Sequence, residues 1–163
     1  LIDTINQSYP LKGYQLMEFA EERVFDYKDA RMLKRDDYRL FETFFKKAYP
    51  SVSEIDWLKG YFEEKVDKEF FFGYINDDGL VAACDAPDMP YMDGYIQHTG
   101  IITLPAYRKK GYAKLCTALA THHHIQSGIV PQWECTLGNV ASIELAKSIG
   151  YKEFAQAFIF EGS

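Results

Sequence analysis

Ile101-Ile102-Thr103-Leu104-Pro105-Ala106-Tyr107-Arg108-Lys109-Lys110-Gly111-Tyr112-Ala113 is the stretch on which the fold turns. An apolar, β-prone run leads through Pro105 into a short loop with three consecutive cations. Gly111 and a helix-forming run follow. Backbone N–H groups at a helix start have no internal partners and lie at the positive end of the helix dipole. A pyrophosphate can rest on them. Gly111 permits close approach of the backbone to an anion, and Ala113 keeps the first turn free of bulk. Arg108, Lys109 and Lys110 concentrate positive charge in a chain whose net charge is -6. The Gly-Lys-Ser/Thr ending of a P-loop and the three-glycine spacing of a dinucleotide fingerprint are both missing.

Working outward, the helix is expected over about 110–126, then a strand over 130–136. Asn139 caps a further helix that stops at Gly150, a favourable C-terminal residue. The chain closes on one strand or a pair of strands over 151–160. Upstream, 95–104 reads as the longest strand, and 85–94 as a loop rich in Pro, Asp and Met. Strands over 70–75 and 80–84 flank the turn Asn76-Asp77-Asp78-Gly79 and form a hairpin. Two helices precede it. One is capped by Asp36, with Tyr38, Phe41, Phe44, Phe45 and Ala48 on its apolar face, and ends at Pro50. The other opens at Ser53 and buries Ile55, Leu58, Phe62 and Val66. A short strand is expected over 31–33, and residues 1–30 show no readable pattern. The order of elements predicts an α/β (α+β) domain with a mixed sheet, covering 1–163 as one unit.

Composition narrows the function. Apolar residues make up 47% of the 163, enough for a buried core. An acidic chain is poorly suited to general binding of nucleic acid or anionic membrane. The cysteines, Cys84, Cys116 and Cys135, are odd in number, lack metal-ligand spacing and lie in apolar stretches. They read as buried reduced thiols of a cytoplasmic protein. No apolar run is long enough to span a bilayer, and no signal peptide is visible. Adjacent helical residues point about 100° apart, so His122, His123 and His124 cannot converge on one metal ion. No metal is expected.

Arg108-x-x-Gly111-x-Ala113 resembles the acyl-coenzyme A signature of the GNAT N-acetyltransferases, and the preceding Ile-Thr-Leu-Pro-x-Tyr resembles that family's strand and its exit. Asn139-x-x-Ser142-x-x-Leu145-Ala146-x-x-x-Gly150-Tyr151 is similar to the family's second block, in the right order and at a family-like distance. The clear match covers about 94–160. The run Trp133-Glu134-Cys135 with Asn139, Ser142 and Leu145-Ala146 is similar to a bacterial subgroup associated with zwittermicin A resistance. The resemblance implies a mixed, twisted sheet with helices on both faces and a splayed central strand pair. It implies acetyl-CoA as co-substrate, its pantetheine arm along Ile102, Thr103 and Leu104. The pyrophosphate would lie on Lys109, Lys110, Gly111, Tyr112 and Ala113 beside Arg108, and Asn139 and Ser142 would complete the cofactor site.

The implied reaction is acetyl transfer to a primary amine of a small molecule, by a monomer or homodimer with no nucleic acid or membrane partner. An amine with a pKa of ~10 is mostly ammonium at neutral pH, so a base must take a proton. Two residues are candidates. His98 lies on the long strand, with Ile96 and Ile102 on its face; a histidine there is either a base or a core residue bonded to a carbonyl. Glu134 interrupts an apolar strand; it is either a desolvated base or half of a structural ion pair. Many members of the family place a tyrosine in the last helix as acid for the leaving thiolate, and here that position is Ala146. Tyr151, Tyr112 or water would have to serve. Asp85, Asp88 and Asp93 either attract a cationic acceptor or form a solvated loop. Two other readings stay open: a non-catalytic acyl-CoA-binding regulatory domain, and a protein N-terminal or lysine acetyltransferase.

Overall fold

The computed structural model describes residues 11–87, 92 and 94–160. Its contacts gather the chain into two compact units, Leu1–Glu22 with Gln132–Ser163, and Arg23–Pro131. The sequence reads as one domain, with no linker signal at either crossing.

In the Arg23–Pro131 unit a sheet runs in the order β2 (Ala30–Met32), β3 (Phe71–Asn76), β4 (Gly79–Asp85), β6 (Gly100–Thr103). All three pairings are antiparallel. Side chains alternate along the strands and build a core on each face. Phe71, Leu80, Ala83 and Leu104 enter one core with Leu33, Phe41, Phe44, Leu58 and Phe62. That face is covered by α1 (Tyr38–Ala48) and α2 (Leu58–Asp67). Phe41 stacks on Phe62 with ring centroids 5.0 Å apart and meets Phe71 edge-on at 4.8 Å. Burying a phenylalanine stabilises a fold by about 1.5–3 kcal/mol, so this cluster anchors both helices. Phe72, Tyr74, Val81, Ala82 and Cys84 face the other core with Cys116 and Ala120 of α3 (Tyr112–Gln126). The β3–β4 register shifts between Tyr74 and Ile75, which puts Val81 and Ala82 on the same face as a β-bulge. Within this unit helices therefore cover both faces of the sheet, as expected.

The other unit places β1 (Leu11–Phe19) between β7 (Val130–Thr136) and β8 (Tyr151–Phe160), antiparallel to both. Helix α4 (Val140–Ile149) packs on β8. β8 is a single strand of ten residues rather than a pair.

Several boundaries differ from expectation. β1 falls in the unreadable 1–30 stretch; residues 1–10 lie outside the described residues. The first helix is preceded by a short 3-10 turn over Arg35–Asp37. Asp37, not Asp36, stands at the helix N-cap; its carboxylate accepts the Lys34 N–H at 2.8 Å across the 3-10 turn and caps no N–H of the helix. The second helix begins at Leu58, five residues after Ser53, which caps nothing in it. The expected 95–104 strand is two pieces, β5 (Ile96–His98) and β6, broken at Thr99. Ile102 is therefore not on the same strand as His98. All three cysteines are buried free thiols. Among the described residues no helix is long and apolar enough to cross a membrane.

Candidate active site

Among the described residues β6 is the edge of its sheet, bonded only to β4. Leu104 N–H donates to Val81 O at 3.0 Å, and Ile102 lies opposite Ala83. Antiparallel bonding alternates, so the main-chain groups of Leu104 and Ile102 turn toward β4, and those of Ile101 and Thr103 turn outward. Of the three residues expected to meet a pantetheine arm, only Thr103 presents its backbone to the open edge. Its carbonyl accepts from Arg108 Nε at 3.3 Å, which folds the arginine back along the strand's exit.

The turn that follows is shaped for an anion. Lys109 has φ 60° and Gly111 φ 84°, while Lys110 between them has the ordinary sign. Such alternation turns successive N–H groups to one side, as in an anion-binding nest. Gly111 is the N-cap of α3, and no side chain caps that helix. The first N–H to reach an intrahelical carbonyl is that of Leu115, to Gly111 O. Tyr112, Ala113 and Lys114 therefore hold their N–H groups in front of the turn. A Cβ at Gly111 would meet nothing within 4 Å, so the space there is open. Arg108, Lys109 and Lys110 are exposed around it. Lys110 Nζ lies over the Tyr107 ring, 5.1 Å from its centroid, and the Tyr107 hydroxyl donates to Asp78 at 2.8 Å. Tyr112 stacks on Tyr74, centroids 4.1 Å apart, which fixes the first turn of α3 against the sheet.

Asn139 and Ser142, in the other unit, are already engaged. Asn139 Oδ1 accepts the Ser142 N–H at 3.1 Å and so caps α4 as expected. Ser142 Oγ accepts from Nε1 of the buried Trp133 at 2.9 Å. The start of α4 is thus closed by its own asparagine, whereas that of α3 is open. Glu134 is exposed on β7. Ala146 is fully buried and carries no proton to give. Tyr151 is buried between Phe19 and Trp133 by edge-on contacts. His98 is half-buried at the end of β5. Its neighbour Gln97 faces the opposite way, buried, with Nε2 donating to Pro87 O. The three adjacent histidines diverge: His122 toward Tyr27, His123 toward Glu69 and Phe72, His124 into the core beside Phe70.

One feature of the Arg23–Pro131 unit is only faintly signalled by the sequence. A cavity of about 420 Å³ opens between α1, the α1–α2 connection and the sheet. Phe45, Tyr49, Trp57, Tyr61 and Phe71 form much of its wall, and Ile102 of β6 joins them. Asp85 is the one charged residue in the lining among the described residues. The Tyr61 hydroxyl donates to Asp85 Oδ2. Tyr61 itself is held edge-on by Trp57 and Phe71, with Lys65 Nζ 5.7 Å from its ring centroid. Burial, then the negative charge of Asp85, raises the Tyr49 phenol above its usual range. Asp85 lies opposite Gly100 in the β4–β6 register, and a methyl on Gly100 would overlap Asp85 Oδ1. The available signal was the loop of aspartates after β4; Asp88 and Asp93 of that loop lie outside the described residues.

The GNAT acetyltransferase family model matches residues 71–158, more than half of the chain, and the chain belongs to that family. Its fold resembles that of a GNAT-family acetyltransferase from Colwellia psychrerythraea, with a TM-score of 0.77 at 18% identity over 99% of this chain and 61% of that one. It also resembles yncA of Salmonella typhimurium, solved with its cofactor acetyl-CoA, with a TM-score of 0.65 at 17% identity over 77% of this chain and 80% of that one. In sequence it is 28% identical over 93 residues to the uncharacterized N-acetyltransferase YdfB of Bacillus subtilis, covering 57% of this chain and 34% of that protein. The match thus spans about a third of the curated relative's length.

Proposed function

We propose that this chain transfers an acetyl group from acetyl-CoA to a primary amine of a small molecule. The observation that carries the reading is the uncapped start of α3 behind the Lys109–Gly111 turn, an arrangement suited to the pyrophosphate of coenzyme A. Family membership supplies the donor class. Arg108, Lys109 and Lys110 add charge around the turn, and the outward main chain of Thr103 offers the pantetheine amides a partner. Asn139 and Ser142 fix the start of α4.

The chemistry asks three things of the protein. It must hold the thioester carbonyl near the amine, take one proton from the ammonium, and let the thiolate leave. The freed amine attacks the carbonyl carbon and a C–N bond forms; the nitrogen then releases its second proton to solvent, the C–S bond breaks, and the thiolate carries away the electron pair. We take His98 as the base of the two candidates; it is half-buried on β5, whereas Glu134 is exposed. Solvent protonates the thiolate, since Ala146 has no proton to give. The buried Ala146 also favours a second reading, a domain that binds acyl-CoA without turning it over.

Millimolar acetyl-CoA is expected to raise the melting temperature; at about 100 times its dissociation constant a ligand adds ~2.7 kcal/mol. In Gly111→Val the left-handed φ costs the fold about 1–2 kcal/mol, and the side chain occupies the open space before α3. The folded variant should lose acetyl-CoA affinity; calorimetry showing unchanged affinity would separate the turn from phosphate binding.

Thiol release against a panel of amines tests turnover. His98→Ala and Glu134→Gln are then compared across pH. Loss of the base lowers turnover at neutral pH, recovers at high pH where free amine is abundant, and leaves acetyl-CoA affinity unchanged. That signature is expected for His98→Ala and not for Glu134→Gln. Binding of acetyl-CoA with no thiol released for any amine would favour the second reading.

A further inference from the structure

We infer that the acceptor is a primary amine carried on an aromatic or similarly bulky apolar body, seated in the cavity beside α1 and α2 with its ammonium on Asp85. This rests on the acetyl-transfer reading for the fate of the amine, but the recognition argument stands on the cavity itself. Its volume, about 420 Å³, lies in the ~300–1,000 Å³ range of small-molecule pockets. Its wall is a cluster of rings that brace one another: Phe45 meets Tyr49 at 4.8 Å and Trp57 edge-on at 5.7 Å. At its mouth Trp57 is 53% exposed, Val52 40% and Tyr49 38%. Large apolar groups gathered at the rim of a concave site mark a surface that an apolar ligand covers.

The polar chemistry of the cavity selects one charge. Asp85 brings an anion to a wall of rings, and rings attract cations through their negative faces. A carboxylate can accept about four hydrogen bonds, and Tyr61 supplies one. Gly100 has no side chain where one would displace the Asp85 carboxylate, so the backbone of β6 itself makes room for the anion. A polyamine or a heavily hydroxylated amine would press polar groups against the rings without partners, which is unfavourable. A ring with one ammonium satisfies both parts of the site. The position also suits transfer. Ile102 lines the cavity from β6, and Thr103, next along the strand, presents its main chain at the edge assigned to the donor. Asp85 is thus a residue for binding and specificity, and taking the proton remains the task of the base.

Trp57 lies at the mouth, and the other tryptophan, Trp133, is buried, so tryptophan emission reports on the cavity. The probes are 2-phenylethylamine, its neutral counterpart 2-phenylethanol, and spermidine. Each is titrated against the chain with and without coenzyme A. Phenylethylamine should shift the emission saturably, binding about 10- to 100-fold more tightly than phenylethanol, the range for one charge-assisted hydrogen bond. Asp85→Asn should bring the two to equal affinity, and Gly100→Ala, which displaces the same carboxylate, should act in the same direction. In turnover, Asp85→Asn should raise KM more than it lowers kcat. Equal binding of phenylethanol and phenylethylamine by the wild type, tighter binding of spermidine, or no binding with or without coenzyme A overturns the inference. Circular dichroism of both variants guards against misfolding, and the wild-type comparison decides even if neither variant folds. If phenylethylamine binds as expected but no thiol is released, acetyl transfer fails while the cavity's specificity stands. If thiol is released with other amines while phenylethylamine does not bind, acetyl transfer stands and this inference falls.

Discussion

Gly150→Ala is expected to destabilise the unit that holds β1, β7, β8 and α4 by about 3–5 kcal/mol, the sum of a backbone strain and a steric one. Gly150 ends α4 with φ 123° and ψ 11°, a conformation that side chains rarely adopt. Its N–H donates to Ala146 O and Lys147 O, each at 3.2 Å. Its carbonyl accepts from the N–H groups of Ala20 and Glu21, at 3.0 and 3.1 Å, where the chain leaves β1. The backbone is therefore fixed from both sides. A Cβ would overlap the Glu21 carbonyl oxygen and stand 3.2 Å from the Phe19 ring. Relief requires moving backbone, and the Phe19–Tyr151 contact would open with it. Gly128→Ala is the control. Gly128 has φ 76°, but a Cβ there would meet nothing within 4 Å, so only about 1 kcal/mol of left-handed strain is expected. Urea unfolding measures both. A Gly150 variant no less stable than the Gly128 variant would show that the crossing at Glu21 yields freely.

The second large effect is on pH dependence. His124 is 1% exposed in the last turn of α3, edge-on to Phe70 at 5.1 Å, and its Nδ1 has no partner among the described residues. Burial, and secondarily the neighbouring His123, push its pKa down from 6.5 to about 4. The folded state holds this ring neutral, while the unfolded chain protonates it near pH 6.5. Below that pH the unfolded state binds the extra proton. The stabilisation is therefore complete above about pH 6.5 and is lost as pH falls toward 4. The loss amounts to about 3 kcal/mol. Denaturant melts of the wild type and His124→Leu between pH 4.5 and 8 give the difference in slope, which cancels other groups. Parallel curves would mean that His124 titrates alike in both states.

The turn at 108–113 and the fold class were legible in the sequence because their physics is local. A β-prone run, a helix start, an Asn cap and a glycine stop each depend on neighbours in the chain, and Asn139 and Gly150 perform in space the tasks their positions suggested. β1 was not legible. The positions on its inward face are Gly13, Gln15 and Met17, and a glycine and a glutamine in that row hide the alternation of a buried strand. Gln15 is nonetheless only 4% exposed, because Nε2 donates to Ala155 O at 2.9 Å. A Cβ at Gly13 would press on the Leu137 side chain. Both reasons come from residues more than a hundred positions away in the chain. The break at Thr99 was hidden likewise, since 95–104 is β-prone throughout. The cavity beside α1 and α2 combines residues from 41 to 102 that share no sequence motif. By itself the sequence determined where a phosphate could rest, since a helix start needs only its own backbone. Only the tertiary structure decided which anion stands among which rings, because a cavity belongs to surfaces brought together from distant parts of the chain.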